Sequence, residues 1–165
     1  VIERKAYRDA MARLGAAVNI ITTAGADDGW RGFTASAVCS VTDDPPTLLL
    51  CVNRTSDSHE PLKQNGILCV NTLSAGQEEL SGIFAGMTGL LGADRFEHGE
   101  WSTLVTGAPV LKGAVVSFDC RITDVTEVGT HTVFFAEVEA IQSSDAHEGL
   151  IYFGRAYHRI IVKAA

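Results

Sequence analysis

The sequence predicts a mainly β protein with short helices, and three observations carry that prediction. Residues 115–127 and 132–143 are two long runs rich in β-branched and aromatic residues, joined through Val128, Gly129, Thr130 and His131. Residues 32–52 read as a strand, a proline turn and a second strand that is almost wholly apolar. Helical spacing is confined to short stretches, and no GxGxxG is present, which argues against a Rossmann dinucleotide domain.

The elements follow in order. Tyr7, Met11 and Leu14 recur at helical spacing ahead of Gly15, so the chain opens with a short amphipathic helix. Residues 17–23 form a strand that enters a hairpin turn in GADDGWRG, residues 25–32. Within residues 32–42, Thr34, Ser36, Ser40 and Thr42 fall on even positions, while Phe33, Ala35, Ala37, Cys39 and Val41 fall on odd ones. An extended chain there has one apolar face that packs and one face of small hydroxyls, interrupted by Val38. The DDPP at residues 43–46 breaks the strand, because proline fixes φ and cannot donate to a ladder, and residues 47–52 resume as a buried central strand. A short helix at residues 60–64 and a strand at residues 67–73 come next. Ser74 with Gln77 forms a capping box for a helix carrying Leu80, Ile83 and Phe84. GMTGLLG at residues 86–92 is too glycine-rich to continue regularly, and residues 151–153 and 157–162 supply the last strands.

Composition bounds the function. A chain of 165 residues, 46% hydrophobic and 20% charged, reads as one domain over residues 1–165. The formal charge of −7 and the pI near 5.1 oppose nucleic acid and anionic membrane as partners, since both select for clustered Lys and Arg. No apolar run approaches the roughly 18 residues of a membrane span, and the opening VIERKAYRDAMARLG is charged and amphipathic rather than a signal peptide. A cytoplasmic protein is expected. Cys39, Cys51, Cys69 and Cys120 each sit in an apolar strand-like run without CxxC spacing, as buried reduced thiols would. His59, His98, His131, His147 and His158 are dispersed, so no metal site is predicted.

The candidate binding surface is the hydroxyl face of residues 32–42 together with the tract Asn53, Arg54, Thr55, Ser56, Asp57, Ser58, His59. An ordinary half-solvated strand shows the same alternation. The tract adds a cation and three hydroxyls where a buried strand leads into a short helix, and such a collection suits a phosphate or another anion.

A family resemblance runs over about residues 7–158. GAAVNIITT (residues 15–23), GFTASAVCSVTDDPPTLLLCVNRTS (32–56), LCVNTLSAGQEEL (68–80), FAGMTG (84–89), DRF (94–96), GAPVLKGAVVSFDCRI (107–122), GTH (129–131) and GLIYFGRAYH (149–158) resemble, in that order, the short-chain NAD(P)H:flavin oxidoreductases. These are the reductase components of two-component flavin-dependent monooxygenases, and the likeness points to those of the pyrimidine-utilisation and 4-hydroxyphenylacetate 3-monooxygenase systems. The resemblance implies a six-stranded antiparallel FMN-binding split β-barrel that works as a homodimer. It implies that NAD(P)H reduces FMN or FAD by hydride transfer to N5, and that the reduced flavin diffuses to a partner oxygenase. No cluster of Arg reads a 2′-phosphate, so NADH is favoured, with NADPH the alternative.

By matched position, the resemblance puts Thr34, Ala35 and Ser36 against the edge of the isoalloxazine, Ser40, Val41 and Thr42 along the ribityl chain, and Asn53, Arg54 and Ser56 at the phosphate. Cys51 joins them from the strand leading to that loop. Phe84, Ala85 and Gly86 form a second wall with Arg95 and Phe96 close behind, although the spacing of Phe84 to Leu80 and Met87 fits core packing equally. Gly129 and His131 match the Gly-x-His of the nicotinamide site, which makes His131 the candidate catalytic residue; Thr130 stands where some relatives carry Asp. Tyr157 and His158 edge the same pocket, or pack the barrel. Three other readings remain at this stage: a reductase of a non-flavin acceptor such as a corrinoid, a non-catalytic flavin-binding electron-transfer module, and a β interaction domain without a cofactor.

Overall fold

The computed structural model describes residues 1–27 and 29–162. Asp28 of the predicted hairpin turn and residues 163–165 of the predicted domain lie outside the described residues. In chain order the elements are α1 (Arg4–Met11), β1 (Ala16–Ala17), β2 (Asn19–Gly25), β3 (Gly29–Ala35), β4 (Val38–Asp43), β5 (Pro46–Asn53), α2 (His59–Asn65) and β6 (Ile67–Thr72). A 3-10 turn (Ala75–Gln77) then leads into α3 (Glu78–Phe84), and a 3-10 segment (Gly92–Glu97) precedes β7 (Trp101–Thr103), β8 (Pro109–Leu111), β9 (Val116–Val128), β10 (His131–Ser143), β11 (Glu148–Phe153) and β12 (Ala156–Ile161). The mainly β architecture with short helices is as expected. So is the capping box: Ser74 and Gln77 each bond the other's backbone and start the turn into α3. Among the described residues no helix is long and apolar enough to cross a membrane.

The strand count and closure differ from the expected six-stranded barrel. Seven antiparallel strands form one sheet in the order β3-β2-β6-β9-β10-β5-β4, beside a three-stranded sheet β1-β11-β12 and a two-stranded pair β7-β8. The large sheet is not closed, since β3 and β4 stand at its opposite edges without a ladder between them. They are nevertheless consecutive in the chain, joined by Ser36 and Ala37 alone. So short a link reaches about 11 Å at full extension. The sheet therefore curls until its two edges meet at that link, where the Cys51 N–H donates to the Ala37 carbonyl at 3.0 Å.

The same link overturns the predicted alternation. Residues 32–42 are not one strand, and the break at Ser36 and Ala37 inverts the parity beyond it. Phe33 and Ala35 pack on the core as expected, but so does Val38, while Cys39 and Val41 are exposed. A register shift between Ser40 and Thr42 disturbs the pattern again. An edge strand entered from the opposite edge has no reason to keep the phase of the strand before it, because each side chain follows the pleat of its own ladder.

Burial is two-sided at the centre. In β2, Ile21 belongs to the cluster inside the curl with Leu50, Val52, Leu68, Val70 and Phe134, whereas Ile20 packs outward with Val18, Leu73, Ile83, Phe84 and Leu150. α3 and β11 thus cover the outer face, which explains why β2 and β6 read as continuous apolar runs. Among the polar residues buried with them, Asn71 makes the most connections. Its Nδ2 donates to the carbonyls of Ile20 and Pro109, and its Oδ1 accepts from the Leu111 N–H and the Ser117 hydroxyl. β2, β6, β8 and β9 are tied together at that one side chain.

Candidate functional site

Where the sheet edges meet, a cleft of about 440 Å³ opens, within the range of small-molecule sites. Its floor is Phe33 and Val52, its near wall Thr34, Ala35, Ser36 and Ala37 with Cys51, and its far end the loop from Asn53 to Ser58. Phe84, Ala85 and Arg95 close the other side.

Each wall is held by the elements behind it. Asn19, nearly fully buried, donates from Nδ2 to the Ala35 carbonyl at 3.3 Å and accepts the Thr72 hydroxyl at 2.8 Å, which fixes the end of β3. The Thr34 hydroxyl donates to the Ser81 carbonyl at 2.7 Å, so it braces β3 against α3 and is not offered to a ligand. The carbonyls of Ser36 and Ala37 accept from the Val38 and Cys51 amides, whereas the Ser36 and Ala37 amides have no recorded acceptor among the described residues. Two unengaged backbone donors beside small side chains suit the acceptor-rich edge of a planar heterocycle, because nothing bulky holds it away from the backbone.

The far end is a turn built by Asn53. Its Oδ1 accepts from both the N–H and the hydroxyl of Thr55 at 3.0 Å, an Asx turn. Below it, His59 is 3% exposed and anchors the start of α2 to β10 through Nε2 and the Thr132 hydroxyl at 2.8 Å. Thr55, Ser56 and Ser58 are thereby gathered at the cleft.

Among the described residues, Arg95 is the one cation lining this cleft. Its Nε donates to the Leu90 carbonyl at 2.9 Å, and Nη1 to the Gly32 carbonyl at 3.0 Å and the Phe84 carbonyl at 3.4 Å. Nη2 makes no recorded bond to the described residues, which leaves it free for an anion. Sequence reading placed Arg95 only behind the wall. The signal available was a lone basic residue just after the glycine-rich stretch.

The structure sorts the other predicted residues. Ala35, Ser36, Cys51, Asn53, Ser56, Phe84 and Ala85 are at the cleft with Thr34. Phe84 is 1% exposed and packs edge-on to Phe96 and beneath Gly32, where an added Cβ would meet the ring at 3.0 Å. Its side chain is core. Phe96 stands between Trp30 and Trp101, behind that ring and not on the cleft. Gly86, with φ +80°, turns the chain just after α3 beside Arg95 and does not line the cleft. Tyr157 lines an adjoining cavity that shares Thr34, Ala35, Ser36 and Ala85 with the cleft, and its hydroxyl lies 2.7 Å from that of buried Ser81.

Several of the expected residues are not brought to this cleft. Ser40, Val41 and Thr42 are exposed along β4 and do not line the cleft, because the strand leaves it at Ala37. His158 is exposed, with Nε2 3.0 Å from the Phe153 carbonyl, and lies outside the pocket. Arg54 turns its guanidinium away from the cleft, toward Glu127 Oε2 at 3.0 Å and the Gly129 carbonyl at 2.7 Å. Gly129 and His131 do not line the cleft either, although His131 pairs with Asn53 across the ladder, one strand from it. Of the four thiols expected to be buried, Cys39 is exposed and Cys51 half-buried. Burial, and then Cys39, pushes the Cys51 thiol up, and burial pushes Cys120 up to about 12 and Cys69 higher still. None of these three is set up as a thiolate at neutral pH.

Residues 11–160 match the family described as flavin reductase like domain. The FMN reductase (NADH) RutF of Ancylobacter novellus is 57% identical over 159 residues, covering 96% of this chain and 86% of that protein. A flavin reductase of Haemophilus somnus 129pt superposes with a TM-score of 0.92 at 46% identity, over 96% of this chain and all of that one. The styrene monooxygenase flavin reductase of Pseudomonas putida S12 does so with a TM-score of 0.83 at 25% identity, over 96% and 99% of the two chains. With its matched span, its curled sheet and its cleft at the strand 3–strand 4 link, the chain belongs to the flavin reductase like domain family.

Proposed function

We infer that this protein is an NADH-dependent flavin reductase: it reduces FMN at the expense of NADH and supplies reduced flavin to a separate flavin-dependent monooxygenase. The carrying observation is the cleft, with its unengaged Ser36 and Ala37 amides, hydroxyl-lined turn and the Arg95 cation, in a chain 57% identical to an FMN reductase (NADH). FMN, taking hydride from nicotinamide at N5, supplies the redox chemistry. The residues present fit it. Ser36 and Ala37 would donate to the ring edge, where they stabilise the charge that builds up on reduction. Thr55, Ser56 and Ser58 would face the phosphate end together with the free Nη2 of Arg95. Ala35, Ala37 and Ala85 keep the walls low, so that a second planar ring can reach the exposed face. No acid–base pair is required of the chain, since the transfer is between the two cofactors.

The same reading makes the protein a homodimer. α1 buries none of its residues, and Tyr7, Met11 and Leu14 are exposed. Met11 and Leu14 border an apolar groove of about 860 Å³ with Val38, Leu49 and Tyr152, and Ala37 and Cys51 belong to both groove and cleft. A second copy seated in that groove would cover the apolar stripe and wall the flavin at once. Full activity in a monomeric species on sedimentation would overturn this part. Four free cysteines and a need for NADH fit a cytoplasmic setting.

The test is oxidation of NADH and NADPH followed at the nicotinamide absorbance, with FMN, FAD or no flavin added. Flavin-dependent turnover, fastest with NADH and FMN, is expected. A flavin spectral shift without turnover would instead mark a non-catalytic carrier.

A further inference from the structure

The Arg54 guanidinium, turned from the cleft, spans two parts of the chain that the proposed function needs in register. Its own backbone N–H donates to the Thr130 carbonyl at 3.0 Å. Nη2 donates to the Gly129 carbonyl at 2.7 Å, and Nη1 pairs with Glu127 Oε2 at 3.0 Å, while Lys63 of α2 approaches Glu127 Oε1 at 3.7 Å. Glu127, Gly129 and Thr130 make up the β9–β10 hairpin that ends in His131. Its loop is only Gly129 and Thr130, with Gly129 at φ +57°, in the position where a tight II′ hairpin needs a positive φ.

We propose that Arg54 is a positioning residue that latches the Gly129–Thr130 turn, and with it His131, to the turn that receives the flavin phosphate. Asn53 builds that turn on one side of Arg54 and pairs with His131 on the ladder. Flavin end and nicotinamide end are thereby carried on one rigid corner. The ion pair is not what holds it: Arg54 and Glu127 side chains are 44% and 52% exposed, and pairs so exposed add little. The hold comes from geometry. A planar fork reaches a carbonyl and a carboxylate together, from a residue whose own amide is bonded to the same loop. Lysine can reach one acceptor but not reproduce the fork.

The nicotinamide role of His131 rests on the proposed function; the latch itself does not, and the experiment separates them. Amide exchange of residues 128–131, FMN affinity by titration, and the KM for NADH are measured on the wild type, Arg54→Ala, Arg54→Lys and Glu127→Ala. The latch predicts exchange in the turn about tenfold faster in R54A and less so in R54K and E127A, a KM for NADH raised about tenfold in R54A, and an FMN dissociation constant within about twofold of wild type. Unchanged exchange with a tenfold weaker FMN affinity would overturn the latch and return Arg54 to the phosphate. Faster exchange with unchanged KM would keep the latch and remove its service to NADH. If the wild type oxidises no NADH, the proposed function fails while the exchange result still decides the latch.

Discussion

Asn71 and the cleft are both polar places set against apolar packing, and they handle their hydrogen bonds in opposite ways. Around Asn71 both side-chain polar atoms have partners, and among the described residues no buried side-chain nitrogen or oxygen is left without one. At the cleft, Ser36 and Ala37 keep their amides unengaged, and Arg95 keeps one nitrogen of its fork. A structural hub is complete within the chain. A binding site is complete only with its ligand, and the unpaired donors persist because the cleft is open to water.

Breaking the hub gives the largest expected effect. Asn71→Ala takes one donor from the Ile20 carbonyl and one from the Pro109 carbonyl, which keeps the Thr22 hydroxyl, and leaves the Leu111 amide and the Ser117 hydroxyl without this acceptor in the core. A loss of about 3 kcal/mol or more is expected on denaturant unfolding, with the FMN affinity of the folded fraction unchanged. A specific loss of FMN affinity at full stability would erase the distinction between hub and site.

Arg95→Ala cuts the other way. Removing the cleft's cation should weaken FMN binding by about tenfold to a hundredfold, the range of a charge-assisted hydrogen bond. Stability should also fall, because Nη1 and Nε tie Gly32, Phe84 and Leu90 together. Arg95→Lys keeps the charge without the fork, so it should recover part of the affinity and little of the stability. Titration of a flavin-fluorescence signal, paired with thermal unfolding, separates the two.

Tyr157→Phe sharpens the comparison at an intermediate point. Its hydroxyl is bonded to Ser81, whose carbonyl receives Thr34, so the pair joins β12 and α3 to the cleft wall without touching its free donors. A destabilisation of about 1 kcal/mol is expected, with FMN affinity within about threefold of wild type. The smallest effect lies at the surface. Lys5 and then Arg155 hold the Asp9 carboxyl below its ordinary value. The stability that Asp9 lends to α1 and the β11–β12 turn is therefore full above about pH 4 and fades as the pH falls further. Asp9→Asn should remove that dependence in an acid titration followed by helix circular dichroism.

Much of this was legible in the chain. The apolar runs of β5, β6, β9 and β10, the Ser74–Gln77 box and the breaker at DDPP depend on local φ preferences and on period-two burial, which neighbouring residues fix among themselves. The cleft residues Ala35, Ser36, Asn53 and Ser56 were readable for a related reason, since small residues and hydroxyls at the ends of buried strands have few structural uses there. Ser40 and Thr42 were put on one face with Thr34 and Ser36 because alternation was carried across the Ser36–Ala37 link, and no local signal announces that a chain is passing from one sheet edge to the other. Arg54, expected at the cleft, turns away from it, and Arg95, expected only behind its wall, lines it, for one reason. Sequence gives a cation's position along the chain, but its direction is set by distant acceptors: Glu127 and Gly129 for the first, Gly32, Phe84 and Leu90 for the second. Most strands, the cap before α3 and the chemistry on offer were set locally, because they arise from contacts within a few residues. Where the sheet curls shut, which donors are left unengaged and which arginine faces the cleft follow instead from pairings across tens of residues, and only the folded arrangement reveals them.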